Sequence, residues 1–146
     1  MKYSVLFGRI LFSLIFVFSG LNHFSSDIIN FAAAQGVPLA RIAVPLSGVM
    51  AIIGGLSVAL GYKARWGASL LVLFLVPVTT MMHRFWAAAD PIAAQLELGM
   101  FMKNVSILGG ALLIAYFGAG PLSLDAAVEA RSRQSVLNQS GGRAVA

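Results

Sequence analysis

The chain has 146 residues, a size that suits one domain, and carries a formal net charge of +5 with only 10% charged and 59% hydrophobic residues. Soluble domains average about 45–50% apolar and about 25% charged residues, so a mean hydropathy of +0.88 excludes an ordinary water-soluble fold and points to the bilayer. The absence of cysteine excludes disulfides, thiolate metal sites and thiol redox chemistry in this chain, and the scattered basic residues form no stripe of the kind a nucleic-acid face needs.

The first apolar segment runs over about residues 3–24. Lys2 and Arg9 precede a charge-free run from Ile10 to Leu21. A basic start before an apolar run is also the signal-peptide pattern, but Phe18-Ser19-Gly20 is a poor cleavage site and the run is long, so an uncleaved transmembrane helix is expected. At its depth Arg9 is expected to snorkel to the near interface. Residues 25–41 are a mixed connection with a turn at Gly36-Val37-Pro38 and enough apolar residues (Ile28, Ile29, Phe31) for a short interfacial helix.

The second span covers about residues 42–61 and has no charge. Gly48, Gly54, Gly55, Ser57 and Gly61 allow close helix approach. The short basic turn Tyr62-Lys63-Ala64-Arg65 forces an antiparallel hairpin with the third span, about residues 66–83. Pro77 lies inside that span and removes a backbone hydrogen bond; the following Thr79 and Thr80 are expected to re-satisfy the freed group. Phe85 and Trp86 read as an interfacial aromatic belt. Asp90-Pro91 reads as a helix start, with Asp as cap and Pro at the first position, leading into a fourth span over about residues 101–118 that ends at Gly118-Ala119-Gly120-Pro121. These spans make residues 1–125 one four-helix transmembrane domain. Residues 126–146 form a polar, flexible tail; Leu124, Ala127 and Val128 suit one or two amphipathic turns, and the composition beyond Arg131 reads as disordered.

The expected fold is therefore an all-α membrane protein, a bundle of four transmembrane helices. Lys2, Arg9, Lys63, Arg65, Arg131, Arg133 and Arg143 fall on one side, against Arg41, Arg84 and Lys103 on the other. The positive-inside bias puts both termini in the cytoplasm.

This topology gathers polar residues near the outer leaflet: Asn22 and His23 close the first span, Thr79, His83 and Trp86 the third, and Glu97, Lys103 and Asn104 open the fourth. Polar groups at membrane depth are expensive, which makes these eight the candidate ligand-binding residues. One reading is a small-molecule pocket in which the histidines donate to, or exchange protons with, a quinone carbonyl. The other is interfacial chemistry, with His23 and His83 capping helices or bonding to loop carbonyls and Glu97 paired with Lys103 or Arg84. His23, His83 and Glu97 are metal-ligand types, yet their spacing carries no local motif and no metal is expected. No phosphate loop, nucleophile elbow or HExxH is present.

Gly20-Leu21-Asn22-His23-Phe24, His83-Arg84-Phe85-Trp86, Phe101-Met102-Lys103-Asn104 with Gly109-Gly110, and the closing Gly118-Ala119-Gly120-Pro121-Leu122-Ser123-Leu124-Asp125 together resemble the DoxX family. The resemblance spans about Tyr3 to Asp125. It implies a four-helix protein of the bacterial inner membrane, multi-pass, of a kind that includes the membrane subunit of a thiosulfate:quinone oxidoreductase and a membrane component of an oxidative-stress complex. It supplies no catalytic residue set; His23, His83, Trp86, Lys103 and Asn104 are the motif positions carried over as candidates. The expectation is a membrane subunit or anchor of a redox-related assembly, with a quinone-like ligand, a protein partner or a second copy, and no independent catalytic activity. Two alternatives stand beside it: a small transporter or permease-like protein, and a structural subunit whose small-residue face on the second span docks another helix.

Overall fold

The computed structural model describes the backbone of residues 2–143 and the side chains through residue 138. Its helices are α1 (Lys2–Asn22), α2 (Ser26–Ala34), α3 (Ala40–Leu60), α4 (Ala64–Met82), α5 (Pro91–Phe117) and α6 (Leu124–Arg143), with a 3₁₀ turn at Phe85–Ala87. α1, α3, α5 and α4 extended through the 3₁₀ turn are each long and apolar enough to cross a membrane. They alternate in direction, so α2 and the 3₁₀ turn lie at one end of the bundle. The N-terminus, the α3–α4 turn and α6 lie at the other, the terminal end.

Local chemistry sets each boundary. Ser25 caps α2, its hydroxyl accepting from the Ile28 N–H, and Gly36 supplies the positive φ of the turn that follows. α3 ends at Gly61 in the left-handed region, with the Tyr62 N–H reaching back to the Ser57 carbonyl. This Schellman closure needs glycine at that position. Asp90 caps α5 by accepting from the Ala93 N–H at 2.8 Å, with Pro91 in the first turn where its missing N–H costs nothing. α5 is thus one helix of 27 residues, longer at its start than the fourth span read from hydropathy. The cap lets the polar stretch Gln95–Glu97 continue the helix.

The helices pack in the order α1, α3, α4, α5. Small residues decide the closeness. A Cβ added at Gly20 would lie 2.9 Å from the Gly48 carbonyl, one at Gly48 would lie 2.8 Å from the Gly20 carbonyl, and one at Gly54 would lie 3.0 Å from the Gly67 carbonyl. α3 therefore presses backbone to backbone against α1 on one side and α4 on the other. The small-residue face expected to dock another protein's helix is consumed inside the chain. Ala51, Val58, Ala68, Leu71 and Ala111 are fully buried in the core, with Phe16 and Phe74 meeting edge to face. Large side chains such as Phe7, Leu11, Phe18 and Phe117 stay exposed on the outside, as a lipid-facing surface requires.

Two further features differ from the sequence expectations. Arg9 does not snorkel. It is buried, and its guanidinium donates to the Ala119 carbonyl at 2.5 Å and the Leu122 carbonyl at 2.9 Å. The turn after α5 leaves these carbonyls without helical partners, and a planar fork of donors fits them. Asp125 beside it accepts from the Lys63 and Ala64 N–H groups and so caps α4. The second difference is the tail, which continues as α6 to Arg143 where composition beyond Arg131 reads as disordered; its last residues, 144–146, lie outside the described residues.

Candidate functional site

The candidate residues divide into separate groups. His83, just past the end of α4, approaches Glu97 of α5, with Nδ1 2.9 Å from the carboxylate oxygen. Glu97 is thus paired with His83, and neither with Lys103 nor with Arg84. Arg84 instead donates to the Gln35 carbonyl after α2, and the Lys103 ammonium lies 3.3 Å from the Met100 sulfur. Trp86, Phe85 and Phe101 form an edge-to-face cluster with centroids 5.0–6.0 Å apart. These contacts fasten the α4–α5 connection. Asn22 is exposed at the end of α1. Thr79 and Asn104 are buried on α4 and α5.

His23 stands apart from this group. It lines a cavity of about 410 Å³ between the end of α1 and helices α2, α3 and α4; His83 does not. That volume lies within the roughly 300–1,000 Å³ range of small-molecule sites. The walls are almost wholly apolar: Ile28 and Ala32 of α2, Val44 and Met50 of α3, Phe74, Val78, Met81 and Met82 of α4. His23 and Ser47 supply the polar side chains. Leu46 and Leu73 also line the cavity and are exposed on the outer face of the bundle, so it opens sideways, towards lipid.

The ring of His23 is held from three directions. Its Cβ packs on Gly48, where an added Cβ would come within 2.7 Å. It meets the Phe74 ring edge to face, with centroids 5.8 Å apart. Its Nδ1 is 2.7 Å from the Ser19 carbonyl, one turn back. A carbonyl only accepts, so Nδ1 carries the proton and Nε2 is the basic nitrogen of the neutral ring. Among the described residues Nε2 has no hydrogen-bond partner.

Pro77 adds a backbone feature to the same wall. Lacking an N–H, it leaves the Leu73 carbonyl without its usual helical donor. The threonines do not repair this: the Thr80 hydroxyl bonds the Val76 and Pro77 carbonyls instead. Leu73 and Pro77 both line the cavity. Proline 77 was visible in the sequence, but not that the freed carbonyl's residue sits at a pocket.

A second cavity, about 620 Å³, lies at the terminal end beside Lys63, Arg65, Trp66, Asp125 and Glu129. Its carboxylates are engaged, Asp125 by the start of α4 and Glu129 by Arg133. No three His, Asp or Glu side chains among the described residues gather as metal ligands, and His23, His83 and Glu97 form no such group.

The DoxX family model matches residues 4–84, a stretch that runs from the first turn of α1 through α4 and contains every residue lining the His23 cavity. The chain belongs to the DoxX family. It is 29% identical to the inner membrane protein YphA of Escherichia coli over 83% of the chain and 87% of that protein. It is 30% identical to the E. coli inner membrane protein YqjF over 84% of the chain and 89% of the relative. A match of 35% identity to the ER-derived vesicles protein ERV29 of Saccharomyces cerevisiae covers 53% of the chain and 24% of that longer protein. No solved structure matches the chain. With four membrane-length helices and inner-membrane relatives, this DoxX protein is a multi-pass protein of the inner membrane. Glu97, Lys103 and Asn104 fall beyond the matched segment, whereas His23 falls within it.

Proposed function

We propose that this DoxX protein is the membrane subunit of a redox-related assembly and holds a lipid-soluble, quinone-class ligand in the cavity beside His23. The observation that carries the proposal is the cavity itself: about 410 Å³, walled by apolar side chains, open towards lipid and furnished with a single imidazole. An apolar body with a small polar head suits such a space, and the hydrophobic walls favour it over any ion. The absence of cysteine leaves electron transfer to a bound ligand and a partner protein. The apolar walls also weigh against a transport path for charged solutes.

The test is mass spectrometry of the lipids carried by the gently purified protein, compared with an Ala43→Phe variant that fills the cavity. A quinone-class compound enriched over bulk lipid in the parent and depleted in the variant is the expected result. Equal lipid profiles in both would overturn the proposal.

A further inference from the structure

We infer that the His23 cavity selects ligands that donate a hydrogen bond, a hydroxyl-bearing apolar molecule such as a phenol or alcohol, and discriminates against bodies of the same shape that only accept. This rests on the reading of the cavity as a ligand site and names the chemical class it takes.

Both polar side chains of the cavity have already spent their protons. His23 Nδ1 gives its hydrogen to the Ser19 carbonyl at 2.7 Å, which leaves the neutral ring with only the Nε2 lone pair to offer. The Ser47 hydroxyl gives its hydrogen to the Val44 carbonyl at 2.7 Å, which leaves only oxygen lone pairs. Leu73, which also lines the cavity, has a backbone carbonyl whose usual helical donor is removed by Pro77. The sulfurs of Met50, Met81 and Met82 in the walls are weak acceptors as well. Every polar group named here accepts, and the neighbouring side chains that fill the space between them are apolar.

A ligand carbonyl brought to such a surface meets lone pairs and finds no proton. It loses its bonds to water without replacement, which is the costly arrangement. A ligand hydroxyl brings the missing proton to His23 Nε2 and regains its bond. The sequence-based picture of a histidine donating to a quinone carbonyl is thereby reversed: the neutral imidazole favours the reduced, hydroxyl-bearing form of such a ligand.

The experiment uses the full-length protein in nanodiscs and two probes with one body, an alkylphenol and its methyl ether. Binding is measured for each after correction for partition into empty nanodiscs. The phenol is expected to bind about tenfold more tightly than the ether, the effect of one net hydrogen bond. In His23→Phe, which keeps an aromatic ring against Phe74 but has no lone pair, the ratio is expected to fall towards one. Ser47→Ala, a smaller change at the second acceptor, serves as a folded comparison in which the preference is retained in part. Equal, saturable binding of both probes to the parent overturns donor selectivity while leaving a ligand cavity in place. Failure of either probe to bind above the empty-disc level overturns the cavity reading and the selectivity together. A preference unchanged in both variants also overturns the assignment, because the selecting group then lies elsewhere.

Discussion

The imidazole of His23 reaches the cavity because Gly48 has no side chain to stop it, and it is oriented there because the Ser19 carbonyl holds Nδ1. His83 has a different partner and a different task. Its contact with Glu97, 22% and 36% exposed respectively, ties the end of α4 to the start of α5. A pair this open to solvent is worth at most about 1 kcal/mol. Glu97→Gln keeps a hydrogen-bonding oxygen, so it is expected to lower thermal stability by less than that amount and to leave ligand retention unchanged. Retention measured beside His23→Phe checks this; loss of ligand in Glu97→Gln would mean the two histidines serve one site. The pairing of His83 with Glu97 was hidden in the sequence because a 3₁₀ turn and a capped helix start intervene. Arg84 and Lys103 were equally good partners on charge alone. His23 itself was legible as a polar residue at membrane depth, but its proton assignment needs the position of a carbonyl one turn away.

At the scale of elements, α3 organises the bundle through glycine. A Cβ at Gly48 would approach the His23 Cβ to 2.7 Å and the Gly20 carbonyl to 2.8 Å; the carbonyl belongs to the backbone and can yield only by moving α1. Gly48→Val is therefore expected to cost several kcal/mol, in the range of overpacked cores or beyond, and to reduce the yield of folded protein. Gly109→Ala meets nothing within 4 Å and replaces a helix-interior glycine, so it is expected to stabilise by roughly 0.5–1 kcal/mol. Thermal unfolding of both variants in the same detergent separates the two cases. The spans themselves were readable from hydropathy because a bilayer needs about twenty apolar residues per crossing. The cavity was not, since Ile28, Val44, Phe74 and Met82 look like lipid-facing or core residues until α2 folds over the ends of α3 and α4. Nor was the full length of the tail helix: beyond Arg131 its polar composition carries no apolar period, and its start is anchored by the Asp125 cap on α4, the Asp125 N–H on the Gly61 carbonyl and the Ser123 hydroxyl, which accepts from the Ala126 N–H.

For the whole molecule, the even number of crossings places both termini on one side of the membrane. We propose that this side is the cytoplasm, on the seven-to-three division of lysine and arginine across the two ends. A reporter that is active only in the cytoplasm is expected to work at the C-terminus; activity there of a reporter that works only outside would reverse the orientation. With the termini inside, the His23 cavity opens to the outer leaflet, and a ligand reaches it by moving laterally through lipid. The aromatic cluster of Phe85, Trp86 and Phe101 stands at the same level and is the rival location for a ring-bearing ligand. Photolabelling of the nanodisc-embedded protein with a lipid-soluble phenol carrying a diazirine, mapped by peptide mass spectrometry, decides between them. Label on Met50, Leu73, Met81 and Met82, competed by unlabelled phenol, is the predicted result; label on Phe85, Trp86 and Phe101 with those four residues untouched would contradict it.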